Sequence, residues 1–400
     1  MTIPVNDMQP FAKQQIVVMV VANIKQYRVV LYKKLAEHLL RNNIVLRVVY
    51  SDPSPTEASK RDSAELSLPL GVKVARAYFL SDRLLLQFLP LSLLWRADLV
   101  VVVQSNGYLM NYLLQLARLI GWRRLAFWGH GYNHQGVVTS SSERLKRWLA
   151  SRVDWWFTYT HDTGRYLAEL GFPGNRITVI ENATDTSAFA HEVADVSRND
   201  VVDLRRQLGF PVNACSALFC GSLYADKQLG FLVQVGDELH RKFSNFRMIV
   251  IGDGQQKEWL SDAAKAKGWL RYCGPQFGSD KAKFFAMSDF FLHPGAVGLS
   301  ILDSFAAGLP FITSDYDKHG PEMAYLEHEG NGIMLPFKLE AFVEGVGRVI
   351  EDRDFLASLR EGARAAGTRY TLENMVGNVA NGVVDYLSSA HYTRHFRVIS

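Results

Sequence analysis

Cysteine is scarce, with three residues (Cys215, Cys220 and Cys273) in a chain of 400. They form neither a CxxC pair nor a disulfide framework, and Cys215 and Cys220 lie in or beside an apolar strand, which makes them reduced core thiols of a cytosolic protein. Charge of one sign is lacking too. Lys plus Arg number 44 against 40 Asp plus Glu, a net of +4, so nothing demands nucleic acid, and only a local basic face could favour anionic substrates or lipid. No segment reaches the roughly 18 to 20 unbroken apolar residues of a membrane span. The run Leu84–Trp95, LLLQFLPLSLLW, is interrupted by Gln87 and Pro90. It reads first as a buried helix and second, because Arg83 and Arg96 flank it, as a peripheral contact with lipid or a lipid-linked substrate. The opening MTIPVNDMQPFAKQQ lacks the basic start and apolar middle of a signal peptide. The expected location is therefore cytoplasmic, with the inner face of the membrane as the place for any peripheral contact.

What the chain has is bulk and rhythm. A hydrophobic fraction of 48% over 400 residues exceeds one ordinary core and predicts two domains. Apolar strands alternate with helical patterns: QIVVMVVA at Gln15, a helix over Tyr27–Leu40 with Val30, Leu31, Leu35, Leu39 and Leu40 inward, then strands near Ile44, Val72, Asp98, Arg123, Asp154 and Arg176. Ser51–Leu66, rich in Pro and polar residues, reads as a mobile edge loop. Periodicity fades between Asp185 and Asn213, apart from the short helix VDLRRQLG, and a second alternating series follows from Cys215. The expected fold is α/β, two doubly wound Rossmann-like domains (1–190 and 191–384) with a cleft between them, and 385–400, with Tyr386, Tyr392 and Phe396, crossing back onto the first.

Strand-end loops carry the candidate chemistry. His293–Pro310, HPGAVGLSILDSFAAGLP, runs from a strand through glycines into a helix, with Asp303 further along. Amides near Val297, Gly298 and Leu299 at such a start lack helical partners and suit phosphate oxygens. GSLYADK brings Gly221, Ser222 and Lys227, a flexible cation able to neutralise a phosphate. Gly252 and Gly254 close another strand, and Pro275 and Gln276 offer groups for a base edge. Glu322, at the start of another predicted helix, reads as a capping residue. In the first domain the turn NIKQYR (Gln26, Tyr27 and Arg28) faces the cleft, as does FWGHGYNHQ with His130, Tyr132 and His134. His130 could donate to a sugar hydroxyl. A two-histidine metal site is disfavoured, because Gly131 argues against the helix that His130 and His134 would need.

In order along the chain, YRVVLYKKLAE, FWGHG, VIENATD, FCGSLYADK, VIGDG, YCGPQ, PGAVGLSILDSFAAGLP and HGPEMAYLEHEGNGIM resemble landmarks of the retaining glycosyltransferases of family four, which have the GT-B fold. The likeness is greatest to the bacterial cell-surface polysaccharide branch. It implies that Lys227 contacts the donor diphosphate, residues around Gln276 receive the base, Ala296, Val297, Gly298, Leu299 and Ser300 face the diphosphate or sugar, Asp303 bonds the ribose, and His130 lies near the transferred sugar. Gln26, Tyr27, Arg28, Tyr132 and His134 then belong to the acceptor side. The implied partners are a nucleotide diphosphate sugar, UDP-linked by expectation, and a glycan or lipid-linked acceptor, with no metal and no cofactor. Two departures stand out. Ser222 takes the place of the family's arginine, and Gly295 that of the first of two glutamates whose second position is Asp303. A nucleotide-sugar epimerase or hydrolase, and a non-catalytic partner subunit, are the alternative readings.

Overall fold

The structure, a computed structural model, describes residues 14–389 apart from 59–61, 81–82, 123, 132–147 and 149. The first lobe contains β1 (Gln15–Val20), β2 (Ile24–Lys25), β3 (Ile44–Tyr50), β4 (Ser63–Ala64), β5 (Gly71–Lys73), β6 (Arg76–Phe79), β7 (Leu84–Gln87), β8 (Leu99–Val103), β9 (Leu125–Gly129), β10 (Trp155–Thr158) and β11 (Ile177–Val179). Seven of these form a parallel sheet in the order β11-β10-β9-β8-β1-β3-β5. The second lobe contains β12 (Cys215–Cys220), β13 (Phe246–Ile251), β14 (Leu270–Tyr272), β15 (Phe290–Leu292), β16 (Phe311–Ser314) and β17 (Gly332–Leu335), all parallel, in the order β14-β13-β12-β15-β16-β17.

Both sheets read as near-continuous Val, Ile, Leu and Phe because helices cover both faces. The helix Val29–Leu40 buries Leu31, Leu35 and Leu39, each worth ~2 kcal/mol relative to exposure. Leu40, expected inward, is instead exposed, since it lies about 100° round the helix from Leu39 and so outside the apolar stripe. Ser51–Leu66 is more ordered than expected. It holds a helical turn, Pro55–Ala58, and β4, which pairs antiparallel with β2. The segment near Val72 is two strands rather than one, for β6 leaves the sheet and pairs with β7. Leu84–Trp95 is not a buried helix. Pro90 divides it into β7 and a six-residue helix, Leu91–Arg96, whose outer side chains face solvent.

The connection between lobes holds two helices, Ser187–Ala194 and Arg198–Gln207, the second started by a Ser197–Asp200 capping box. The first of these was not anticipated. The chain returns to the first lobe at Leu372, ahead of the expected Asp385. The helix Leu372–Ser388 buries Met375, Val376, Val379 and Val383, joins Lys34 through Glu373, and sets Tyr386 edge-on to Trp155 at 6.0 Å. Tyr392 and Phe396 lie outside the described residues.

Candidate active site

In each sheet the strand order reverses beside the first strand of the lobe, and an open α/β sheet forms its ligand crevice at that point, outside the carboxyl ends of the strands. In the second lobe the reversal lies between β12 and β15, so the loops after them meet. Their backbones are stitched together. The Ala296 N–H donates to the Asp226 carbonyl at 2.9 Å, and Lys227 Nζ donates to the Ala296 carbonyl at 2.5 Å. Burial draws the Lys227 pKa down, against the opposing pull of Asp226. Gly295 fits only as glycine, since a Cβ there would lie 2.4 Å from the Asp226 carbonyl oxygen.

Two histidines support this loop. His319 accepts the Val297 N–H on Nδ1 at 3.1 Å, and its Nε2 faces the Ser314 carbonyl at 2.8 Å, which assigns the proton to Nε2. Ala296 and Val297 therefore do not offer open amides, contrary to expectation. Those of Gly298, Leu299 and Ser300 have no acceptor among the described residues. His293 stacks on Phe219 at 4.8 Å beneath the loop, and burial, with Lys227 nearby, pulls its pKa down to about 3. Burial lowers His319 as well.

A histidine whose folded pKa is depressed leaves the unfolded chain binding the extra proton, so stability is intact above the ordinary value near 6.5 and falls as pH drops toward the folded value. Each depressed histidine should cost about 1.4 kcal/mol per pH unit within that window. Urea midpoints at pH 7.5 and 5.5 measure the slope. His293→Asn, which cannot titrate, should flatten it, and an unchanged slope would remove His293 as its source.

Between the lobes lies a cavity of about 470 Å³, walled by Tyr27, Val30, Thr184 and Asp185 on one side and Cys220, Gly221, Leu299, Ser300 and Asp303 on the other. Asp303 pairs with Lys281 at 2.7 Å, a partner not anticipated from the sequence. Burial opposes the Lys281 charge, yet Asp303 more than offsets it and the pKa is raised. Gly252 supports the site from behind, because at φ +143° a Cβ there would come within 1.8 Å of the Gly221 carbonyl oxygen. Gly254 lies likewise against Leu223. Ser222 and Pro275 are exposed. Gln276 is not brought to this cavity. Its amide turns back onto the Cys273 carbonyl at 2.7 Å, and it lines a separate hollow with Asp203 and Lys283.

The first lobe reverses between β1 and β8, and a cavity of about 540 Å³ opens there, lined by Lys25, Tyr27, Arg28, Tyr108, Trp128 and Tyr159 among others. Gln26 is exposed beside it. Lys25 is held by Glu57 and Asp62. Arg28 donates to Asn182 Oδ1 at 2.6 Å, and Asn182 Nδ2 donates across the cleft to Glu322 Oε1 at 2.8 Å. Glu322 is therefore a buried interlobe acceptor, its pKa raised by burial, and not merely a helix cap. His130 stands edge-on to Tyr159 at 4.4 Å and lines neither cavity. Tyr132 and His134 lie outside the described residues. No three metal-ligating side chains gather among the described residues, and no described helix is long and apolar enough to cross a membrane.

Residues 29–188 match the family model Glycosyltransferase Family 4, and residues 214–352 match Glycosyl transferases group 1. Each half of the chain is thus similar to a glycosyltransferase family model. The chain is 26% identical over 202 residues to the alpha-monoglucosyldiacylglycerol synthase of Acholeplasma laidlawii, covering 49% of each chain. It is 24% identical over 222 residues to the lipopolysaccharide 1,2-N-acetylglucosaminetransferase of Salmonella typhimurium, covering 52% of this chain and 56% of the relative. The matched part thus spans about half the length of these curated relatives. Its fold is similar to the crystal structure of Anabaena Alr3699/HepE in complex with UDP, with a TM-score of 0.65 and 17% identity over 92% of this chain and 99% of that one. A glycosyltransferase from Rickettsia africae gives 0.64 at 14% identity, over 94% and 100%. The two parallel-sheet lobes are the GT-B architecture.

Proposed function

We propose that this glycosyltransferase moves a sugar from a UDP-sugar to a hydroxyl of a glycan or lipid-linked acceptor, with retained anomeric configuration and without a metal, on the cytoplasmic side of cell-surface polysaccharide synthesis. The observation that carries the reading is the cleft cavity, where Leu299 and Ser300, at the start of a helix, face Tyr27 of the other lobe while Lys227 is tied into the same loop. Amides and a cation fixed before reaction stabilise charge where it develops, on the departing diphosphate. As the bond from the anomeric carbon to the diphosphate oxygen breaks, the acceptor oxygen bonds to that carbon on the same face, and the leaving phosphate takes the acceptor proton. Alr3699/HepE has been crystallised with UDP and with UDP-glucose, which favours uridine as the base. The names of the two curated relatives favour a lipid or lipopolysaccharide acceptor.

Calorimetry with UDP, GDP and their glucose conjugates tests the donor, and NMR of the product tests the configuration. UDP binding followed by a retained anomer is expected. Free sugar or epimerised donor formed without acceptor would favour the hydrolase or epimerase. Absence of binding by every nucleotide would favour the non-catalytic subunit, consistent with Gly295 and Ser222.

A further inference from the structure

Lysine is seldom buried without a partner, and Lys281 is mostly buried beside the cleft although the transfer scheme above gives it no step. It lies on the helix Gly278–Ala286. Its Nζ donates at 2.7 Å to Oδ2 of Asp303, on the helix Ser300–Ala306, and the two side chains are 20% and 27% exposed. The same ammonium stands 4.4 Å from the ring centre of Phe189 and 5.4 Å from that of Phe285. Those two rings meet edge to face at 4.9 Å, and Phe189 belongs to Ser187–Ala194, the first helix of the connection between lobes. Three elements far apart in the chain thus converge on one charge and hold it in place.

Asp303 is the member of this group that reaches the ligand space. It lines the cleft cavity of about 470 Å³, whereas Lys281 does not. Lys281 takes only one of the two carboxylate oxygens, and Oδ1 has no donor among the described residues. A carboxylate alone in that wall would turn between rotamers and would repel an entering diphosphate. The ammonium behind it removes both costs, since it fixes the carboxylate and cancels its charge. What faces the ligand is then an oxygen that can only accept. A neutral hydroxyl fits it, and a nucleotide carries such hydroxyls on its ribose.

We propose that Lys281 is a positioning residue that holds Asp303 Oδ1 toward a ribose hydroxyl of the donor, so that the cleft tells a ribonucleotide from its deoxy counterpart through a lysine that touches neither. That Asp303 meets the ribose is implied by the family likeness and belongs to the donor reading on which this rests; its dependence on Lys281 is new. A plain staple between the two helices would use the same salt bridge but would not discriminate between nucleotides.

Calorimetry of the full chain with UDP, 2′-deoxy-UDP and 3′-deoxy-UDP tests the pair. The parent should bind one or both deoxy nucleotides about tenfold more weakly than UDP, or worse, the usual cost of losing a hydrogen bond to a charged group. Lys281→Met should weaken UDP binding about tenfold and shrink the deoxy penalty to about threefold or less, because an unfixed carboxylate must be ordered by the hydroxyl it accepts. Circular dichroism and the urea midpoint report the fold, and Lys281→Gln, which keeps a polar head, decides the matter if the methionine variant does not fold. A folded variant that retains the parent's full deoxy penalty would overturn the proposal, leaving the salt bridge as a staple. A parent that binds UDP and both deoxy nucleotides alike would overturn it too, while the donor reading stands. A parent that binds no nucleotide would remove the donor reading itself, and this inference with it.

Discussion

Lys227→Ala is expected to lower kcat by about 10²–10³, the usual cost of removing one preorganised donor from a site of developing charge. The side chain is mostly buried, draws its proton-binding strength down through burial, and spends one hydrogen bond on the Ala296 carbonyl. An ammonium so placed is poorly solvated before reaction and gains most when a diphosphate becomes negative beside it. The loss should therefore fall on kcat and kcat/KM together, with the donor KM little changed. A structural pin would behave differently. It would lower the urea midpoint and disturb the loop that Val297 and His319 share, and Lys227→Met would repair it by filling the space. Near-normal transfer by either variant removes Lys227 from the chemistry.

The parts of the site legible in the sequence are those that follow chain order. Apolar strands alternating with helical patterns imply two wound sheets, and wound sheets imply loops gathered at the reversal of strand order, so Gly221 and Ser300 fall on one cavity as chain order implies, while Lys227 beside them turns onto the Ala296 carbonyl. Contacts between distant segments leave no periodic trace. Asn182 and Glu322 are 140 residues apart, and nothing local marks either as the other's partner. Lys281 sits on its own helix at ordinary spacing, and only packing brings it to Asp303. The amide of Val297 looked open because helix starts leave amides open, yet His319 arrives from the loop after β16 to take it. Leu84–Trp95 misled for a related reason. Pro90 ends its strand, and the six-residue helix that follows buries only Leu94, so apolar content alone does not set which side chains are inward.

Restoring the carboxylate of the family pattern should harm the protein. Gly295→Glu places a Cβ 2.4 Å from the Asp226 carbonyl oxygen and from the Lys227 carbonyl carbon, and both are backbone atoms that cannot rotate away. The loop would have to lift, breaking the Ala296-to-Asp226 hydrogen bond and detaching Lys227 from Ala296. Overpacking of this kind costs ~1–3 kcal/mol before the lost hydrogen bonds add about 1 kcal/mol each, so a destabilisation of roughly 3–5 kcal/mol is expected, with transfer abolished. Gly295→Ala separates the steric cause from the charge. It should lose most of the same stability in a urea titration although it adds no carboxylate. If alanine is tolerated within about 0.5 kcal/mol, an ordinary surface value, the two loops are not in the contact described, and a glutamate at that position could reach the donor sugar after all. If alanine is as damaging as glutamate, the absence of this acid is built into the backbone, and recognition of the donor sugar must come from other residues of the cleft.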